Sequence, residues 1–343
     1  MKARRALRCL LASALLPCAV PTAQAQDVTA LFQKVNKSVV VVRAKGREVS
    51  GARGIAQFSE VGSGVLISGD GKVMTAAHVV HTMDEITVEF LGGETVAARV
   101  VSSEPGADLS LLQLDHVPPG AVVARLGDSD TIGPGAQVMI VGAPYGLSYS
   151  LSVGWISAKW PPNSVYRSMP LAEFFQTNAT INTGNSGGPM FSMAGEVVGI
   201  VSHIISKSGG SEGLGFVVTM KTAQELLLAQ KSFWGGLEGT FVTGELAEVL
   251  NVPGGAGYLV KTVAKDSPAW NAGVQGGDRT ATIGGETIVV RGDIIVEVAG
   301  IAVKAANDFV EVRKRLNAMT SGTPITISVL RAGRIVQLTG KVP

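Results

Sequence analysis

Thr177-Asn178-Ala179-Thr180-Ile181-Asn182-Thr183-Gly184-Asn185-Ser186-Gly187-Gly188-Pro189-Met190 carries one serine between glycines, in a run of small and polar residues. A serine held this way in a turn presents its hydroxyl to a substrate carbonyl. Glycines on both sides permit positive φ and close approach, so the amides of Gly184 and Ser186 can converge on one oxygen. That makes Gly184, Asn185 and Ser186 the candidate oxyanion hole. A plain Gly/Asn/Ser turn between strands has the same composition, and the hexapeptide from Gly184 to Pro189 does not separate the two readings.

Residues upstream do separate them. Serine is a weak nucleophile at neutral pH and needs a neighbouring base, itself oriented by a third group. Thr75-Ala76-Ala77-His78 supplies a histidine directly after the strand-like Gly71-Lys72-Val73-Met74, and Ala107-Asp108-Leu109-Ser110-Leu111-Leu112 supplies an acid at the head of an apolar run. The expected roles are Ser186 as nucleophile, His78 as general base and then acid, and Asp108 as the group that fixes the imidazole tautomer. The chain order His, Asp, Ser is one of several unrelated triad orders.

The segments TAAH (75–78), ADLSLLQL (107–114), TNATINTGNSGGPM (177–190) and GLGFVV (213–218) occur in an order that closely resembles the HtrA (Deg) family of serine proteases. The resemblance covers nearly the whole chain beyond its first residues. It implies an all-β chymotrypsin-like double β-barrel followed by an α+β PDZ domain, working without ATP as a homotrimer or a multiple of one.

Composition agrees with two folded units. The 343 residues are 46% hydrophobic and only 16% charged, enough to bury sizeable cores. Four of the 29 basic residues and none of the 27 acidic ones lie in the first 25, so the remainder carries a net charge of −2. Nothing in that balance points to nucleic acid. The basic start, the apolar run from Leu10 to Val20 and the small-x-small Ala23-Gln24-Ala25 read as a signal peptide, residues 1–25, cleaved after Ala25. The competing reading is an uncleaved anchor, which Pro17 and the short run disfavour. Cys9 and Cys18 both fall in that segment, so the mature chain would hold no cysteine, which fits a periplasm-like compartment.

The expected protease domain spans 27–231. A short amphipathic helix over Asp27 to Lys37 carries Leu31, Phe32 and Val35; in the family this segment helps hold a trimer, while packing on its own barrel is the simpler alternative. Strands are expected at Val39 to Val42, Gly64 to Ser68, Ile86 to Phe90, Val96 to Val101 and Val138 to Val141, with a turn at Gly92-Gly93. Gly46 to Ser59, rich in small and charged residues, is expected as a mobile surface loop. A second barrel takes Ser150 to Lys159, Phe174 to Thr180, Glu196 to Ile205 and Leu214 to Val218, closed by a helix over Lys221 to Lys231.

Residues 235–343 resemble a PDZ domain, with a helix capped by Asn307 and an insert at Thr280 to Val290 between two Gly-Asp pairs. Its carboxylate-binding loop is expected at Gly236, Leu237, Glu238 and Gly239, where Glu238 would repel a peptide carboxylate.

For specificity, the residue six before the serine is Thr180, and Ile200, Val201 and His203 follow on the strand expected to wall the cleft. With no acid there, selection of small aliphatic side chains before the cut bond is expected. No metal and no cofactor is expected: His81, one turn beyond His78, lacks an HExxH pattern or any cysteine partner. Asn185, preceding the serine, cannot form the ion pair with a freshly cut N-terminus that an aspartate makes in digestive proteases, so zymogen trimming is not expected. Two function classes stand: an envelope endopeptidase for unfolded proteins or one regulatory substrate, and a chaperone or scaffold with little turnover.

Overall fold

A computed structural model describes residues 27–49, 54–147, 149–230 and 233–342. The expected signal segment, both cysteines and Lys231 lie outside the described residues. Helix α1 (Val28–Val35) starts where the Asp27 carboxylate accepts the Thr29 and Ala30 amides at 2.9 and 3.1 Å. Its Leu31 and Phe32 pack on the core between the barrels. Both residues are partly buried there, so the pair packs on its own chain and also keeps some apolar surface exposed.

Six strands close the first barrel: β1 (Val39–Val49), β2 (Ile55–Leu66), β3 (Lys72–Thr75), β4 (Glu85–Glu89), β5 (Thr95–Glu104) and β6 (Leu109–Leu114). Their order around the barrel is β1-β2-β3-β6-β5-β4, with helix α2 (Ala77–Val80) leaving the end of β3. Gly46 to Ser59 is not the loop its composition suggests. β1 and β2 run antiparallel past it, pairing Gly46 with Phe58 and Val49 with Ile55. Arg47 in it is bonded to Asp84 and stacks over Trp270, so its charge marks a docked strand end.

The second barrel contains β7 (Arg125–Leu126), β8 (Gln137–Gly142), β9 (Ser150–Trp160), β10 (Phe174–Thr177), β11 (Pro189–Ser192), β12 (Glu196–Ile204) and β13 (Gly215–Thr219). The order is β11-β8-β9-β10-β13-β12-β7, and a further β11–β12 pairing curls the sheet on itself. Helix α3 (Met220–Ala223), capped by Thr219, runs into a π-helical turn over Gln224–Ala229 in place of the regular helix expected. Val39, Met74, Leu109, Met139, Phe174 and Ile200, drawn from both barrels, share one buried cluster, so the two barrels pack as a unit along the seam where the serine turn lies.

Beyond Phe233 come β14 (Leu237–Thr243), α4 (Gly244–Val249), β15 (Ala256–Val263), α5 (Pro268–Asn271), β16 (Arg279–Ile283), β17 (Glu286–Val290), β18 (Ile294–Val298), β19 (Ile301–Ala302), α6 (Ala306–Asn317), β20 (Pro324–Arg331) and β21 (Arg334–Lys341). The sheet order is β14-β15-β18-β20-β21, with β19 beside β18. The 280–290 insert is a separate hairpin, β16–β17, turned by Gly284-Gly285 at positive φ. Asn307 does not cap α6. Ala305 occupies that position, and the Asp308 carboxylate reaches back to the Lys304 and Ala305 amides at 2.7 and 2.8 Å.

Candidate active site

His78 sits in α2, a helix of one turn whose N-cap Ala76 offers no side-chain acceptor. Asp108 fills that role from the head of the neighbouring strand β6: its carbonyl takes the Ala77 amide at 3.1 Å and its Oδ1 takes the His78 amide at 3.0 Å. The same carboxylate accepts His78 Nδ1–H, with Oδ1 at 2.9 Å and Oδ2 at 3.0 Å. Asp108 itself is held in the left-handed region at φ 54°, a strained setting for a non-glycine residue that aims its side chain back at α2. Backbone and imidazole are thus fixed by one buried acid.

Burial alone would pull the His78 pKa down, but the hydrogen bond it donates to Asp108 and the charges of Asp108 and Glu60 outweigh it and leave the value raised. For Asp108, burial pushes up while bonds from His78 and Ser202 pull down, and the net is lowered. The pair is therefore a carboxylate supporting a basic imidazole. A base must be neutral to accept a proton, so the acid limb of kcat/KM is expected to have its midpoint above 6.5, the ordinary histidine value. A limb centred below 6.5 in a pH–rate profile would contradict this. Stability runs the other way: the His78 contribution is full below 6.5 and fades as pH rises through the raised value.

The serine turn is clamped from the first barrel by Ser63, a fully buried residue of β2. Its hydroxyl donates to the Gly184 carbonyl at 2.7 Å and accepts the Ala143 amide at 2.9 Å, and its own amide donates to the Ser186 carbonyl at 2.8 Å. Thr75 Oγ1 in turn donates to the Ser63 carbonyl at 2.7 Å. Gly184 and Gly187 take φ of 99° and 82°, and a Cβ on Gly187 would lie 2.2 Å from Thr75 Oγ1. Only glycine fits there. Among the described residues the amides of Gly184 and Ser186 donate to nothing, whereas the Asn185 amide is spent on the Asn182 carbonyl at 3.0 Å. Of the three residues assigned to the hole from sequence, Asn185 has its amide engaged and braces the turn.

Ser186 Oγ donates to the Ser202 carbonyl at 3.2 Å and makes no bond to His78. Ser202 also sends its hydroxyl to Asp108 Oδ2. It stands at a register shift between Val201 and His203 on β12, a bulge that lets one residue face two triad members. Sequence reading passed over Ser63 and Ser202, because an isolated serine in a strand carries no motif.

The expected pocket wall needs correction. Ile200 and Val201 are fully buried and belong to core clusters, as do Val197 and Val198. β12 lies between the barrel interior and the barrel–barrel seam, so both of its faces are covered and alternation assigns no residue to the cleft. Thr180 is exposed and lines a cavity of about 420 Å³ with Pro144, Leu151, Val153, Asn182 and Asn185. No charged side chain lines it.

His81 faces away from the triad. Its Nε2 donates to the Leu237 carbonyl at 3.0 Å and its Nδ1 meets Ser103 Oγ at 2.8 Å, while its own carbonyl accepts Trp234 Nε1–H at 2.8 Å. Arg313 of α6 pairs with the buried Glu104, and the Lys265 amide donates to Asp84 at 2.7 Å. The C-terminal residues, from Trp234 and β14, the Lys265 turn and α6, thus grip the segments immediately behind His78 and Asp108. Its expected carboxylate loop is mostly strand: Leu237, Glu238 and Gly239 lie in β14, and only Gly236 precedes it. Glu238 pairs with Lys261 on β15 at 3.3 Å, so its charge has a counterion the sequence reading did not assign.

Residues 62–200 match the family of trypsin-like peptidase domains. Solved structures of an HtrA-type protease, AlgW, are similar along nearly their full length. The form with a tripeptide is 30% identical with a TM-score of 0.53, covering 91% of this chain and 95% of that one; the form with a decapeptide is 27% identical with a TM-score of 0.52, covering 91% and 97%. The chain belongs to the HtrA family of serine proteases. Curated relatives carry the description "probable periplasmic serine endoprotease DegP-like". That of Ectopseudomonas mendocina (strain ymp) is 37% identical over 279 residues, 78% of this chain and 57% of the relative. That of Marinomonas sp. (strain MWYL1) is 37% identical over 249 residues, 69% and 51%. The chain spans about half the length of the curated relatives it matches. Its all-β double barrel is the fold expected of an HtrA protease.

Proposed function

We propose that this chain is a serine endopeptidase of the bacterial envelope that cleaves unfolded or damaged polypeptides without ATP, through an acyl-enzyme on Ser186. The observation that carries this reading is the His78–Asp108 pair beside a serine turn whose Gly184 and Ser186 amides are unengaged. In the reaction, Ser186 Oγ turns from the Ser202 carbonyl to His78, gives up its proton and attacks the carbonyl. The tetrahedral oxyanion is held by the two free amides, and His78 returns the proton to the leaving amine. The periplasm is the proposed compartment, by analogy with the described location of the curated relatives.

The protease unit is proposed as 27–231 and the PDZ domain as 235–343. β14 is the terminal strand of its sheet, with no strand on its outer side among the described residues, and that side is the proposed place for strand addition by a peptide C-terminus. A homotrimer or a multiple of one is proposed from the family resemblance; exposed Tyr145, Leu147 and Trp155 beside the serine turn give it apolar surface to bury.

The uncharged pocket at Thr180 supports cleavage after Val, Ala, Ile or Leu, because an unpaired Lys or Arg cation buried there would cost several kcal/mol. Digesting unfolded casein and mapping the new termini by mass spectrometry tests both activity and selectivity. Aliphatic residues should lead at the position before the cut, with a preference of only about 1–3 kcal/mol per methylene. Dominance of Lys or Arg would refute the pocket assignment, and intact casein would refute the endopeptidase reading.

A further inference from the structure

The sequence reading placed His203 in the substrate cleft, and the structure gives it a different setting. Its ring stacks on Phe216 at 5.4 Å between centroids and meets Tyr166 and Phe174 edge-on at 4.0 and 5.5 Å. Nδ1 lies 2.8 Å from Ser202 Oγ, and Nε2 is buried without a partner. Neither nitrogen is offered to a substrate.

Proton counting fixes the direction of every bond in this chain of groups. Asp108 is a carboxylate and only accepts, so the single Ser202 hydroxyl proton is spent on Oδ2. The Ser202 oxygen can then only accept from His203, which must carry its proton on Nδ1. Burial, its largest influence, pushes the His203 pKa down to about 4, so the ring is neutral and Nε2 is a bare lone pair. That matches the orphaned, buried Nε2.

We infer that His203 is a positioning residue for the reaction: its Nδ1–H polarises and orients the Ser202 hydroxyl, which holds Asp108 Oδ2 in the plane that His78 requires. The aromatic cage of Tyr166, Phe174 and Phe216 fixes the ring, and the bulge at Ser202 brings the relay to the carboxylate. Because the Ser202 carbonyl also receives Ser186 Oγ, the same backbone position sets the resting place of the serine. This inference rests on Ser186 as the nucleophile.

The test is the second-order rate of fluorophosphonate labelling at Ser186 in the full chain, measured from pH 5 to 9. His203→Phe keeps a ring in the cage and removes the donor. Labelling near neutral pH should slow about tenfold, the rate equivalent of one neutral hydrogen bond lost from the transition state. The acid limb should move to higher pH, since a carboxylate with a weaker second donor stabilises the His78 imidazolium more. His203→Asn, which restores an N–H near Nδ1, should recover most of the rate. Should His203→Phe fail to fold, Ser202→Ala must move the limb the same way, and adding His203→Asn to Ser202→Ala must change nothing further. A wild-type pH profile in His203→Phe, or slowing with an unmoved limb that His203→Asn does not rescue, overturns the inference. Absence of labelling in the wild type would instead overturn the nucleophile assignment on which it rests.

Discussion

His78→Ala is expected to lower casein hydrolysis by about ten-thousand- to million-fold, leaving only what the oxyanion amides and substrate binding supply. The geometry makes the loss specific to the imidazole. Asp108 loses one ligand but keeps the backbone amide at residue 78, and Ser63 continues to hold the serine turn. The folded state should survive, so circular dichroism unchanged from wild type beside abolished turnover is the expected pair of results. Turnover within tenfold of wild type would mean that another group serves as base.

Gly184→Ala carries the second large effect. At φ 99° an alanine is strained, and its Cβ would come 2.3 Å from the Ala143 carbonyl oxygen and 2.8 Å from the Tyr145 amide. The turn must shift, and it carries one of the two free amides with it. Removal of a single oxyanion donor lowers kcat by about a hundred- to a thousand-fold. The strained backbone adds instability on top of that, because Ser63 and Tyr145 lose their fit to the Gly184 and Thr183 carbonyls. Kinetics and thermal melting should both respond. A variant with normal melting and normal kcat would show that the oxyanion is held elsewhere.

What could be read from the chain alone was whatever a local pattern encodes. The serine turn needs glycine at positive φ, and the acid opening Leu109-Ser110-Leu111-Leu112 is drawn inward by the strand it begins, so His78, Asp108 and Ser186 are visible as types in context. Val39 to Val42, Ile86 to Phe90 and Val96 to Val101 of the first barrel were legible for the same reason, as short apolar runs between turn residues, but Val138 to Val141, grouped with them from sequence, pairs with β9 and β11 in the second barrel, because nothing in a strand's own residues names its neighbours. Features that depend on contacts far apart in sequence were not. Ser63 reads as one more serine in a strand until its bond to Gly184, 121 residues away, is seen. The strand ends at 46–49 and 55–59 looked like parts of a loop because the charge of Arg47 serves Val263 and Trp270, partners that no local window includes. Ile200 and Val201 misled in the opposite sense: a strand covered on both faces has no outward side, and nothing in its own residues says so.

Glu238 illustrates the same limit in electrostatics. From sequence it stood as an uncompensated acid at a peptide site; in the structure a bulge between Glu238 and Gly239 places it across from β15, where Lys261 answers its charge. The pair is half exposed, so it contributes little to stability, but it weakens the case for repulsion of a peptide carboxylate. His81 was weighed as a metal ligand and is instead a hydrogen-bonded strut, joining the His78 segment to the Leu237 carbonyl.

Covalent labelling tests the central assignment most directly. The full chain is treated with a fluorophosphonate at pH 8, digested, and sequenced by mass spectrometry, with His78→Ala treated in parallel. The account predicts one adduct, on Ser186, in the wild type and none in His78→Ala; an adduct on another residue, or undiminished labelling of Ser186 without His78, would contradict it.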